Sequence, residues 1–186
     1  EMLRIRSFKG LKRFLESKKG FTLIEIIMTM AIIGIVSAIA IPNFSKWREK
    51  HEIDGQAQKV YFDLMLARTT AVKANNDVRV TFNTTSDSYK VHDDTNGDGV
   101  EDSGEALKTI TLENNVQFAF NSGISDIDGN SVSAAVSFSG SQTVTFDSRG
   151  QASASGSVFM LHTEDVGKTS DRARSISVLK STGAVE

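Results

Sequence analysis

Twelve consecutive residues set oxygen donors at near-alternate positions: Asp94-Thr95-Asn96-Gly97-Asp98-Gly99-Val100-Glu101-Asp102-Ser103-Gly104-Glu105. They fit the pattern D-x-[DN]-x-[DN]-G-x5-E throughout. That spacing wraps the side chains of Asp94, Asn96 and Asp98, the Val100 carbonyl, Asp102 through a water, and both oxygens of Glu105 around one point. Calcium, which takes about 6–8 oxygens at roughly 2.3–2.6 Å, is the ion such a set suits, and Gly99 permits the sharp turn. The flanks, Tyr89-Lys90-Val91 before and residues 107–112 after, read as strands, so the loop is expected to join two strands rather than two helices. The competing reading is an acidic, solvated hairpin tip that binds nothing.

A second carboxylate stands where its chemistry is costly. Residues 21–41, FTLIEIIMTMAIIGIVSAIAI, carry the single charge of Glu25. At about 1.5 Å per residue they span roughly 30 Å as a helix, the thickness of a bilayer core. An ionised side chain there costs on the order of 2.5–3.5 kcal/mol, so it needs a cation. The nearest basic residues are Lys18 and Lys19, before the apolar run. A cut after Gly20 would create one on Phe21, and in a packed array that amine could belong to a neighbouring chain.

Other candidate chemistry is thinner. Without cysteine there are neither disulfides nor thiolate metal sites. Gly167-Lys168-Thr169 ends like a phosphate-binding loop, but the glycine required five residues earlier is His162. His51, His92 and His162 fall into no metal spacing and read as surface or edge residues. There is no G-x-S-x-G elbow. Arg149, Lys168, Arg172, Arg174 and Lys180 gather toward the C-terminus as a candidate stripe for DNA phosphates, interrupted by Glu164, Asp165 and Asp171. A charged, solvated sheet edge is the plainer account of them.

The elements that must position these groups follow from the pattern. The net charge of −2 hides an asymmetry: residues 1–20 hold seven basic and two acidic side chains, and everything after them is net negative by seven. A basic block before an apolar run holds that end in the cytoplasm. After Pro42, the only proline, Phe44, Trp47, Ala57, Val60, Tyr61, Leu64, Ala67 and Ala71 recur at helical steps, which extends the helix to about Asn75. Pro42 and Gly34 are its expected weak points, since proline removes a donor and clashes with the preceding turn. Alternating residues such as Val78, Val80 and Phe82, or Val144 and Phe146, then predict seven or eight short strands. The expected division is 1–20 leader, 21–42 membrane and assembly helix, 43–75 amphipathic helix, and 76–186 a β-rich head. An α+β fold follows, with the helix covering the apolar face of a sheet.

The string Lys18-Lys19-Gly20-Phe21-Thr22-Leu23-Ile24-Glu25 resembles the leader junction of type IV pilins and type II secretion pseudopilins. The strand-rich remainder, with Phe146-Asp147-Ser148-Arg149-Gly150 and a closing strand over 174–180, is similar to the GspH/FimT group of minor pilins. The resemblance implies a type IV pilin-like fold and a non-enzymatic filament subunit. It implies cleavage between Gly20 and Phe21 by a prepilin peptidase, N-methylation of Phe21, and Glu25 guiding docking. The implied partners are other pilin or pseudopilin subunits, an inner-membrane assembly platform and the membrane, with the head in the periplasm. A DNA-binding minor pilin is the alternative, and pilus against secretion pseudopilus stays open.

Overall fold

The computed structural model describes residues 20–100, 102–126, 129, 131–168 and 172–186. Lys18, Lys19 and the rest of the leader before Gly20, together with Glu101, Thr169 and Asp171, lie outside the described residues. Packing divides the chain between Ser45 and Lys46 into two compact units.

One helix, α1 (Leu23–Ala74), begins and ends where its residues supply the missing hydrogen-bond partners. Thr22 is the N-cap: its Oγ1 accepts from the Glu25 backbone amide at 3.3 Å, and its carbonyl accepts from Ile26 at 3.2 Å. At the far end Asn75 takes φ 54°, and the Asn76 amide donates to the Ala71 carbonyl at 3.1 Å. A left-handed residue followed by that long backward bond is the asparagine version of a Schellman stop. The helix is continuous through Gly34 and Pro42.

The first unit holds the apolar part of α1. From Gly20 to Ile41 every residue but Ser37 is exposed, and an 18-residue stretch has mean hydropathy 2.4 with none of it buried. Such a helix is long and apolar enough to cross a membrane.

The second unit holds the remainder of α1 and all the strands. Ile53, Val60, Leu64, Ala67 and Ala71 are buried to completion, at the three- and four-residue steps of one helix face. Phe44, in the first unit, and Trp47, in the second, were expected in that stripe; both are exposed, and Trp47 stacks on His51 with ring centres 5.3 Å apart. The strands are β1 (Asp77–Asn83), β2 (Ser88–Asp94), β3 (Ala106–Thr111), β4 (Val116–Phe118), β5 (Val136–Phe138), β6 (Thr143–Phe146), β7 (Gly156–His162) and β8 (Arg174–Val178).

They form two antiparallel sheets. The first has the order β3-β2-β1-β6; in the second, β7 is central. Met160 pairs with both Phe118 and Arg174, and Val158 with both Val136 and Ile176, so β4 and β5 share one edge of β7 and β8 takes the other. β7 is buried along nearly its whole length instead of alternating, so both of its faces are covered. Inward residues of both sheets, including Val80, Phe82, Tyr89, Phe118, Phe138, Phe146 and Met160, join the buried face of α1 in one core.

A polar clamp crosses that core. Asp63 on α1, 4% exposed, accepts from Tyr89 Oη of β2 at 2.6 Å and from Lys108 Nζ of β3 at 2.5 Å. Burial, then the hydrogen bond to Asp63 and its charge, push the Tyr89 hydroxyl well above the ordinary tyrosine range.

Candidate functional sites

The start of α1 gives Glu25 a defined place. It is the third residue after the Thr22 cap, in the first turn, where the helix dipole favours an acid by about 0.3–1 kcal/mol. That is smaller than the roughly 2.5–3.5 kcal/mol cost of placing the charge in a membrane, so the cap alone does not account for Glu25. Phe21 and Leu23 beside it are both 77% exposed.

The acidic loop joins β2 to β3, two strands as expected. Asp94, the last residue of β2, is buried; its carboxylate accepts from Arg79 Nε at 2.8 Å and from the Gly99 amide at 3.1 Å. The Arg79 hydrogen bond, with the Gly99 amide, holds this carboxyl below its usual range against the opposing effect of burial. Glu105 is also buried and spans the loop's base, accepting from the amides of Thr95 and Asp102 at 3.1 and 2.9 Å. Between them, Asn96 Nδ2 donates to Asp98 at 3.2 Å and Asp102 at 2.8 Å. Gly99, at φ +81°, lies against the Arg79 guanidinium: a Cβ there would be 2.9 Å from Nη2.

Positions 94, 96, 98, 102 and 105 all lie in one loop and carry oxygen donors of the kind a hard dication takes, though the carboxylates are held by Arg79, by backbone amides and by the Asn96 amide. Arg79 was not foreseen. It already serves Asp94 as a counter-charge, so a dication would share that carboxylate, and Asn96 would have to turn its oxygen inward.

The basic stripe does not survive as a set of available charges. Arg149 pairs with Asp147 at 2.8 Å, Arg174 with Asp54 at 2.6 Å, and Arg172 with both Glu49 and Asp165. Lys168 and Lys180 are exposed. Arg172 and Arg174 are thereby tied to Glu49 and Asp54 of α1, and Arg149 to its own turn, which leaves little of the cationic face that DNA phosphates require.

The Phe146-Asp147-Ser148-Arg149-Gly150 segment is likewise a structural turn. Asp147 Oδ1 accepts the amides of Arg149 and Gln151, each at 2.9 Å, and Gly150 takes φ +77°. Arg68 of α1 then bridges two loops, donating Nε to the Gly150 carbonyl at 3.0 Å and Nη2 to that of Thr182 at 2.8 Å. Nothing in the spacing of Arg68 marks it for this task.

Two histidines need correction. His51 is exposed, but His92 and His162 are buried, not surface residues. His92 lies beside the acidic loop on β2 and, among the described residues, both its ring nitrogens lack a partner. His162 ends β7, its Nδ1 accepting from the Glu164 amide at 3.3 Å as the cap of a short turn, Thr163–Asp165.

A capped, exposed apolar helix segment and an α+β unit built on that helix's other half define the pilin-like class of protein. The chain belongs to the GspH family: the model of type II transport protein GspH matches residues 56–182, and that of the prokaryotic N-terminal methylation motif matches residues 17–41. Its fold is similar to that of the minor pseudopilin EpsH from the type 2 secretion system of Vibrio cholerae, with a TM-score of 0.50 and 16% identity over 74% of this chain and 93% of that one. The type IV minor pilin FimU of Pseudomonas aeruginosa aligns at TM-score 0.48 and 13% identity over 75% and 90%. In sequence, the type IV major pilin protein PilA of Myxococcus xanthus is 55% identical over 38 residues, 20% of this chain and 17% of that protein. The fimbrial protein EcpB of Eikenella corrodens is 40% identical over 52 residues, 28% and 30%. The chain therefore spans under a third of the length of these curated relatives.

Proposed function

We propose that this chain is a non-enzymatic minor subunit that helps initiate or cap a type IV pilus or a type II secretion pseudopilus. The observation that carries the reading is the apolar first part of α1, exposed over its length and bearing Glu25 in its first turn. An uncovered apolar helix requires either lipid or other helices, and a subunit that passes from membrane to filament uses both in succession. On this reading a prepilin peptidase cuts between Gly20 and Phe21, Phe21 is methylated, and Glu25 pairs with the Phe21 amine of a neighbouring subunit on an inner-membrane assembly platform. Residues 76–186 stand on the periplasmic side, following the basic leader held in the cytoplasm. Gly34 and Pro42 are the points at which the helix would give during packing: among the described residues nothing lies within 4 Å of where a Gly34 Cβ would point.

Calcium belongs to the same proposal as a stabiliser of the β2–β3 loop, held by Asp94, Asn96, Asp98, Val100, Asp102 and Glu105. Its chemistry there would be charge neutralisation across the loop's base, outside the cytoplasm.

The test is co-expression with a prepilin peptidase, mass spectrometry of the product, and recovery of sheared filaments. A mature N-terminus at methylated Phe21 is expected, and Glu25→Ala should be cut and inserted normally while its incorporation into filaments falls. A different N-terminus, or unchanged incorporation of the variant, would refute the corresponding step.

A further inference from the structure

We propose that Glu49, His162 and Glu164 form a binding site for a borderline transition-metal dication of the zinc type, joining α1 to the sheet around β7. One ring nitrogen of His162 and one carboxylate oxygen from each glutamate all lie within 4.8 Å of one another. Ligands bound at about 2.0–2.2 Å to a tetrahedral zinc stand roughly 3.4 Å apart. Rotation of two glutamate side chains supplies the contraction; Glu164 is exposed and Glu49 half-buried.

Glu49 lies on α1, and His162 ends β7, where it pairs in register with Val116 of β4. The turn that His162 caps then carries Glu164.

His162 is only 3% exposed, and its Nδ1 already accepts from the Glu164 amide, which leaves Nε2 as the nitrogen that would ligate a cation. Asp165, adjacent in the same turn and also 3% exposed, has one oxygen, Oδ2, that is buried and, among the described residues, unpartnered. Its other oxygen shares Arg172 with Glu49. Glu49 thus stands beside both the Arg172 guanidinium and, with Glu164, the His162 imidazole, so a dication there would share the Glu49 carboxylate with Arg172.

The donor types choose the ion. An imidazole with carboxylates suits zinc and its neighbours in the first transition row, whereas calcium takes about six to eight oxygens and no nitrogen. Calcium at the β2–β3 loop and zinc here would therefore be separable.

The experiment uses untagged, full-length protein in detergent, stripped with chelator and titrated with zinc chloride while heat of binding and melting temperature are recorded. Saturable one-to-one binding with a rise in melting temperature is expected. Glu164→Gln, at an exposed position, should keep the metal-free melting temperature and weaken zinc at least tenfold; Glu49→Gln should weaken it similarly. X-ray absorption at the zinc edge should report one imidazole among oxygen ligands. Calcium chloride at the same concentration should leave the Glu164→Gln and parent proteins indistinguishable. Absence of saturable binding, equal zinc affinity in Glu164→Gln and the parent, or an all-oxygen shell would each overturn the proposal.

Discussion

Replacing Asp63 by alanine tests whether the helix is locked to the first sheet by the polar clamp or merely by apolar packing. The substitution strips the acceptor from Tyr89, which is 1% exposed, and the counter-ion from Lys108, whose side chain is 40% exposed. A buried hydroxyl left without a partner costs about 1–3 kcal/mol. The lysine can turn to water, so its lost pair adds no more than about 1 kcal/mol. The expected loss is therefore about 1–4 kcal/mol. Near 150 residues each kcal/mol shifts the midpoint by roughly 2–4 °C, giving a fall of about 2–16 °C. Full-length protein in detergent, melted while the near-ultraviolet circular dichroism of Tyr89 and its neighbours is followed, reads this directly. Tyr89→Phe and the double variant complete a cycle in which a coupling of about 1–2 kcal/mol is expected. A loss below about 0.5 kcal/mol for Asp63→Ala, or strict additivity in the cycle, would mean that the clamp is incidental to stability.

Alkaline titration should expose the same clamp. Because the Tyr89 hydroxyl is raised in the folded state, its stabilisation is complete below about pH 10 and declines above it, at up to about 1.4 kcal/mol per pH unit. Urea midpoints from pH 9 to 11.5 should fall for the parent and fall less for Tyr89→Phe; parallel curves would contradict this. Gly156→Ala should destabilise by about 3 kcal/mol, since the new methyl would stand 2.1 Å from the Ser137 carbonyl oxygen and 2.9 Å from the Phe138 Cα, both backbone atoms of the β5 region. Gly55→Ala, where nothing lies within 4 Å, should instead stabilise α1 by about 0.5–1 kcal/mol, and equal midpoints for the two variants would rule out close approach as the reason for Gly156. Calcium should raise the melting temperature of the parent and not that of Glu105→Gln, with identical behaviour of the two counting against the loop as a calcium site.

Local pattern carried much of this architecture. The apolar run, the step to amphipathic spacing and the Asn75-Asn76 stop anticipate a helix of 52 residues to within a residue or two at each end. The alternation of Val78, Val80 and Phe82 marks β1 because burial on one face repeats every second residue. What local pattern omits is every contact closed by the fold. Arg172 and Glu49 are 123 positions apart, Arg68 and Thr182 are 114 apart, and neither pair has a periodic or spacing signal. The C-terminal arginines consequently read as a free cationic stripe until their carboxylate partners are located. His92 and His162 misled for a related reason: a histidine in a short strand carries no mark of which face is covered, and in β7 both faces are. The strand division into two sheets was equally hidden, since alternation reports a buried face but not which neighbour shares it.

Thr22 sits two residues beyond the Gly20–Phe21 bond, so the start signal of α1 would travel with the product of a cut there. Loss of the leader would then be conformationally silent at the first turn, which keeps the acceptor for the Glu25 amide. The exposed ammonium that such a cut creates would face the positive end of its own helix, an arrangement disfavoured by about 0.3–1 kcal/mol. Each processed chain would carry a small internal tension between its amine and its own dipole, relieved when a carboxylate arrives from outside, so that trimming the chain would also make it intolerant of solitude.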